Sequence, residues 1–220
     1  DLPGVHGARR FVEWYNGHPN AKGLDFHLGQ TETAVIVGNG NVALDCARLL
    51  CKPIVELATS DIAQHALEAL AQSTVRQVVL LGRRGLLHAA FTIKEMRELS
   101  RLPGVCTTFK SPGEAFSVAV MQAASKERPR KRLTELMRDI HVAPPTPADS
   151  AHRSVELRFQ VSPTHFVSDE SGKRLAAVGL VETQLEREIG PEQRARPVQG
   201  TEHALPCGLA LTSGGYRSLP

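Results

Sequence analysis

The sequence predicts an α/β domain built on a parallel sheet, with an antiparallel β-meander in its second half. Three observations carry that expectation. Two short apolar runs rich in β-branched residues, Thr33-Ala34-Val35-Ile36-Val37 and Gln77-Val78-Val79-Leu80-Leu81, each end at a glycine, the pattern of strands buried on both faces. Helical periodicity follows each run. Beyond residue 150 the helical pattern gives way to strand-like segments separated by turn residues.

The elements follow in order. The first thirty residues are broken by Pro3, Gly4, Gly7, Gly17, Pro19, Gly23 and Gly29, with one helical stretch near Ala8–Tyr15 whose Phe11, Val12, Trp14 and Tyr15 form a packing face. The strand Thr33–Val37 ends at Gly38, and Asn41 to Leu50 reads as a helix that Pro53 ends. Ser60-Asp61 is expected to N-cap a second helix running to about Ser73. The strand Gln77–Leu81 ends at Gly82. A third, amphipathic helix spans Thr92 to Arg101 before Pro103-Gly104, and Val105 to Phe109 forms a third strand. Between Pro112 and Ser150 order decays: a basic run at Lys126–Arg132, a short helix at Leu133–Ile140, and an exposed linker at Pro144-Pro145-Thr146-Pro147. Alternation returns at Val155–Val161. Arg174–Glu186 is a further strand after a turn at Ser168–Gly172, and Pro206–Leu211 is the last. Together these make a Rossmann-like α/β domain carrying a β-meander.

Composition excludes several function classes. With 41% hydrophobic and 22% charged residues the 220-residue chain has the average make-up of a globular protein. Its formal charge of +3 is too small to argue for nucleic acid by itself. No apolar run approaches the roughly 18 residues of a membrane-spanning helix. Cys46, Cys51, Cys106 and Cys207 include no CxxC pair, and the nine histidines show no HxxxH spacing, so neither a dithiol redox motif nor a metal site is expected. A reducing compartment is the default for such cysteine usage. No serine lies in a GxSxG context. Asp1-Leu2-Pro3-Gly4 lacks an initiator Met and a targeting signal, and reads as the middle of a longer polypeptide.

The chemistry concentrates in Gly38-Asn39-Gly40-Asn41-Val42-Ala43. Gly38 allows a tight turn out of the strand. Gly40 lets the backbone approach a pyrophosphate. Ala43 takes the third small position, where the helix packs on the strand. Asn41 begins a helix whose free N–H groups and dipole favour an anion. At the end of the second strand stands Gly82-Arg83-Arg84-Gly85, where an NAD site usually places an acid for the ribose 2′-hydroxyl. Two guanidiniums suit a 2′-phosphate; the alternative is an exposed basic turn. The second strand lies about forty residues after the loop instead of about 20, an excess that an inserted helical segment between Lys52 and Ser73 would account for.

Taken with Ala90-Phe91-Thr92-Ile93-Lys94-Glu95, Arg128-Pro129-Arg130-Lys131-Arg132-Leu133-Thr134-Glu135-Leu136 and Leu205-Pro206-Cys207-Gly208-Leu209, these motifs resemble the mitochondrial adrenodoxin reductase (NADPH:ferredoxin reductase) family. The resemblance covers nearly the whole chain, in order and spacing. It implies a two-dinucleotide flavoprotein of glutathione-reductase type, which moves a hydride from NADPH to FAD and single electrons on to a [2Fe–2S] ferredoxin. It carries pyrophosphate contacts to Asn39 (often Gln in the family), Gly40, Asn41 and Val42, the 2′-phosphate to Arg83 and Arg84, and a further nucleotide contact to Glu95. The residues alone would leave Glu95 as a solvated helix position. The resemblance also divides the chain: residues 1–32 cross over from an FAD domain, 33–212 bind NADP, and 213–220 cross back, Ser213-Gly214-Gly215-Tyr216 departing from the usual Ser-Ile-Gly-Tyr. FAD would be held mostly outside this chain, so the fragment alone is expected to lack flavin and turnover. Mitochondrial matrix placement, and a role in steroid hydroxylation or iron–sulfur assembly, also come from the family.

Lys126, Arg128, Arg130, Lys131 and Arg132 form the basic run. Taken alone, it reads as a solvated loop; no aromatic interleaves the charges, which disfavours nucleic acid. The resemblance makes Arg97, Arg128 and Arg132 a patch for an acidic ferredoxin, with at most peripheral membrane association. Asp45, one turn into the first helix, is open between a structural role and a contact with the FAD domain. Two other readings stand beside this one: the NADP domain of a glutamate-synthase small-subunit-like flavoprotein, and a non-catalytic NADP-binding truncation.

Overall fold

A computed structural model describes residues 2–186 and 193–214. Val5–Gly7 (β1) leads into the helix Ala8–Tyr15 (α1), and Thr33–Val37 (β2) into Asn41–Cys51 (α2). Two helices, Ile54–Leu57 (α3) and Gln64–Ala71 (α4), precede Gln77–Gly82 (β3). Ile93–Ser100 (α5), Val105–Lys110 (β4), Val118–Ser125 (α6), Arg128–Val142 (α7) and Arg153–Phe159 (β5) come next. The remaining strands are Val161–Ser168 (β6), Leu175–Leu185 (β7), Ala195–Pro197 (β8), His203–Pro206 (β9) and Leu209–Thr212 (β10).

Six strands form one parallel sheet in the order β1-β10-β2-β3-β5-β4. The others form an antiparallel sheet in which β7 pairs with β6 along one edge and with β8 and β9 along the other. Period-2 alternation along the parallel strands explains how the two sheets and the helices meet. Ala34, Ile36, Val78 and Leu80 face the helical layer, against Phe11, Leu44, Leu50, Met96 and Met137. Their neighbours Val35, Val79, Leu81 and Ala210 face the other way, against Val161, Leu175, Val178 and Leu180 of the antiparallel sheet. Helices cover one face and the meander covers the other, so the β-branched runs are buried on both sides as a parallel sheet requires.

Several sequence expectations need correction. Residues 153–159 do not open the meander: β5 is a central parallel strand between β3 and β4. The break falls at Gln160, whose left-handed φ of 56° turns the chain into β6. The second helix starts at Gln64, since Ser60 and Asp61 lie in a turn. The basic run is no loop from Arg128 on, because α7 starts there with Pro129 in its first turn, a position where proline's missing N–H costs nothing. Pro206–Leu211 divides into β9 and β10, which belong to different sheets. The sequence patterns did not anticipate β1, β6, β8, β9 or α6. The expectations for Asp1 and for the departure at Gly215-Tyr216 lie outside the described residues.

Candidate functional site

Because all six strands run the same way, the carboxyl ends of β2 and β3 lie side by side, and the two sequence motifs leave from that edge. Gly38 takes φ +129°, a conformation L side chains rarely adopt, and a Cβ there would stand 2.8 Å from the Ser213 carbonyl oxygen. Its N–H donates to the Leu81 carbonyl at 3.0 Å, pinning the start of the loop to β3. Gly40 is the N-cap of α2, and a Cβ built on it meets nothing within 4 Å. That open space is where a bound group can approach the main chain. Asn41 and Val42 lie in the first turn, where amides have no carbonyl partner within the helix, and Ala43 is fully buried against the sheet.

The loop is braced from the segment before α5. Ala90 N–H donates to the Asn39 carbonyl at 3.2 Å, and Thr92 N–H donates to Asn41 Oδ1 at 2.9 Å. The Asn41 side chain therefore turns sideways to hold Thr92, leaving the helix amides as the anion-facing groups. The Asn39 carboxamide lies over Gly82, where a Cβ would meet its Nδ2 at 2.7 Å. A side chain at Gly82 would therefore displace the Asn39 carboxamide from its present position.

Arg83 is exposed and Arg84 half-buried, and among the described residues neither guanidinium has an ion-pair or hydrogen-bond partner. Glu95 lies in the first turn of α5, half-buried, where its carboxylate accepts from the Thr92 hydroxyl. Thr92 and Glu95 have the spacing of a helix capping pair. Beneath them Arg48 joins Asp45 at 2.8 Å and also binds Glu98, linking α2 to α5. Burial pushes the Asp45 carboxyl above its usual range, the Glu95 charge adds to that rise, and Arg48 opposes it.

Next to this brace a cleft of about 740 Å³ runs between residues 89–93 and the start of α7. Arg128 and Arg132 line it, both exposed, while Arg130 is tied down by donating from Nη1 to the Ala89 carbonyl at 2.8 Å. Arg97, on the last turn of α5, does not line the cleft. A cavity of about 1120 Å³ between residues 17–30 and α4, with Trp14 and Phe26 in its lining, contains none of the predicted site residues. Among the described residues there is no cluster of three metal-ligating side chains, and no helix is long and apolar enough to cross a membrane.

A parallel sheet in which β2 ends in a glycine turn at a helix N-terminus, with unpartnered cations at the end of the adjacent β3, is the arrangement of a dinucleotide-binding α/β fold. The human mitochondrial NADPH:adrenodoxin oxidoreductase is 45% identical over 228 residues, covering 100% of this chain and 45% of that protein. The Drosophila melanogaster protein of the same name is 52% identical over 217 residues, covering 99% of the chain and 43% of the relative. A solved structure of Mycobacterium tuberculosis FprA in complex with NADPH superposes with a TM-score of 0.87 at 36% identity, covering 100% of this chain and 46% of that one. No protein-family model matches the chain. Over its whole length the chain is similar to proteins named NADPH:adrenodoxin oxidoreductase. It spans about 45% of the length of these relatives.

Proposed function

We propose that this chain is the NADP-binding domain of an NADPH-dependent ferredoxin reductase, with the nucleotide domain at 33–212 and crossings to a flavin domain at 1–32 and 213–220. The observation that carries the reading is the pairing, on one sheet edge, of an open glycine loop at Gly40 with two unpartnered arginines at the end of the adjacent strand.

The chain's own groups divide the work. The first-turn amides of α2 face the pyrophosphate, and the missing Cβ of Gly40 lets it approach. Arg83 and Arg84 hold the 2′-phosphate with charge-assisted hydrogen bonds, and Glu95 adds a contact from the adjoining helix. NADPH supplies a hydride to FAD, and the protein's task is to orient it. The flavin contacts belong, in this reading, to the part of the relatives' length that the chain does not span. A [2Fe–2S] ferredoxin would take single electrons from that flavin, and Arg97, Arg128 and Arg132 would steer its approach. The mitochondrial matrix is the proposed compartment, drawn from the mitochondrial relatives, although a bacterial relative, the Mycobacterium leprae NADPH-ferredoxin reductase FprA, is 36% identical.

Titration of NADPH and NADH against the wild-type chain and Arg83→Ala tests the cofactor assignment. The substitution is expected to weaken NADPH by about 10- to 100-fold, the worth of one charged hydrogen-bonding group, and to leave NADH unchanged. Equal affinity of the wild type for both nucleotides would remove the 2′-phosphate assignment.

A further inference from the structure

The main chain of the arginine turn is held by hydrogen bonds from Thr183 and Gln160. Thr183, near the C-terminal end of β7 and 3% exposed, donates from Oγ1 to the Arg83 carbonyl at 2.6 Å. The amide of Gln160, the left-handed residue between β5 and β6, donates to the Arg84 carbonyl at 3.2 Å. A Cβ on Gly85 would stand 2.9 Å from Leu185 Cδ1, so the turn lies directly against β7.

These contacts form one closed network. The Thr183 N–H donates to the Gln160 carbonyl at 2.8 Å, and Gln160 Nε2 donates to the Thr183 carbonyl at 3.2 Å. Gln160 Oε1 accepts from the Ser111 hydroxyl at 3.0 Å. A valine would fill the space of Thr183 equally well, and its hydroxyl has the Arg83 carbonyl as its acceptor. Burying a hydroxyl on an inward-facing strand position costs free energy unless that bond is made.

We infer that Thr183, backed by Gln160 and Ser111, is a positioning residue for the arginine turn and so for selection of a 2′-phosphorylated dinucleotide; this rests on the reading of Arg83 and Arg84 as the 2′-phosphate site. Two long side chains lose rotamer freedom on binding a phosphate, and a fixed main chain beneath them reduces what must be ordered. The antiparallel sheet then has a task beyond covering a face: it sets where the two guanidiniums start from.

The test is calorimetric titration of NADP⁺ and NAD⁺ against the full chain carrying Thr183→Val, Thr183→Ser, Ser111→Ala or Arg83→Ala. Thr183→Val is expected to weaken NADP⁺ by about three- to tenfold, the worth of one neutral hydrogen bond, with NAD⁺ unchanged and Thr183→Ser like wild type. A purely structural role would weaken both nucleotides together, and that result overturns the inference. So does an unchanged NADP⁺ affinity in Thr183→Val, or a Thr183→Ser that behaves like valine. If Thr183→Val does not fold, Ser111→Ala at the rim of the network decides: a lowered NADP⁺ to NAD⁺ ratio supports the inference and an unchanged ratio overturns it. Arg83→Ala separates the two levels. Selectivity that survives it discards the arginine site itself, whereas its loss beside an unaltered Thr183→Val discards only the positioning role.

Discussion

Gly38 and Gly40 stand two residues apart in one motif, yet their physical duties differ. At Gly38 both the positive φ and the Ser213 carbonyl oppose any side chain. Gly38→Ala is expected to destabilise the fold by about 1–3 kcal/mol, read from urea unfolding. Gly40→Ala meets no protein atom, so stability should hold within about 0.5 kcal/mol while NADPH affinity falls. Equal loss of stability in both variants would mean that Gly40 serves the loop rather than a ligand. The cysteines supply a pH prediction of known sign. Burial pushes the Cys46, Cys51 and Cys207 thiols up to about 12. Unfolded thiols ionise near 8.5, so their contribution to stability is complete below that pH and is lost between it and about 12. Unfolding measured across that range should show declining stability, and iodoacetamide at pH 8 should leave the native thiols unmodified.

Among the elements, the best-read were those whose environment is uniform. β2 and β3 are buried on both faces, so their apolar runs identify them without knowledge of their partners. β5 misleads because its alternating Glu156 and Arg158 imitate a solvated face; in the fold these two pair with each other, and Lys110 lies 3.6 Å from Glu156. Nothing local distinguishes such a strand from one in a meander. The start of α7 was hidden for a similar reason: charge density resembles a loop until Pro129 is read as a first-turn proline. Of the proposed site, the glycines and arginines stand out in the sequence because their residue types suit the proposed chemistry. Thr183, Gln160 and the side-chain role of Asn41 were not, since each acts through a partner 50 or more residues away. The α2–α5 link also invites measurement. Arg48→Met should cost about 0.5–1 kcal/mol, because its partners are over a third exposed, and the cost should shrink in high salt.

For the whole molecule, the division of cofactors yields two expectations. The 220-residue chain on its own should bind NADPH and purify without flavin colour; stoichiometric FAD in the preparation would overturn the proposed division. If the proposed ferredoxin reduction is correct, Arg128→Glu with Arg132→Glu in the full-length protein should slow it at low ionic strength by roughly tenfold or more, the difference fading as salt rises. An unaffected rate at low salt would remove the cleft from the electron-transfer route. The pairing of β1 with β10 bears on biosynthesis. β10 occupies the slot between β1 and β2, and its exit at Ser213 closes on Gly38. A nascent chain therefore carries an open gap in its main sheet until residue 212 has left the ribosome, and β1 has no strand to join before then. The loop after β2 acquires its neighbour at Ser213 only once β10 has been made, so a polypeptide ending before β10 would expose the edges of β1 and β2.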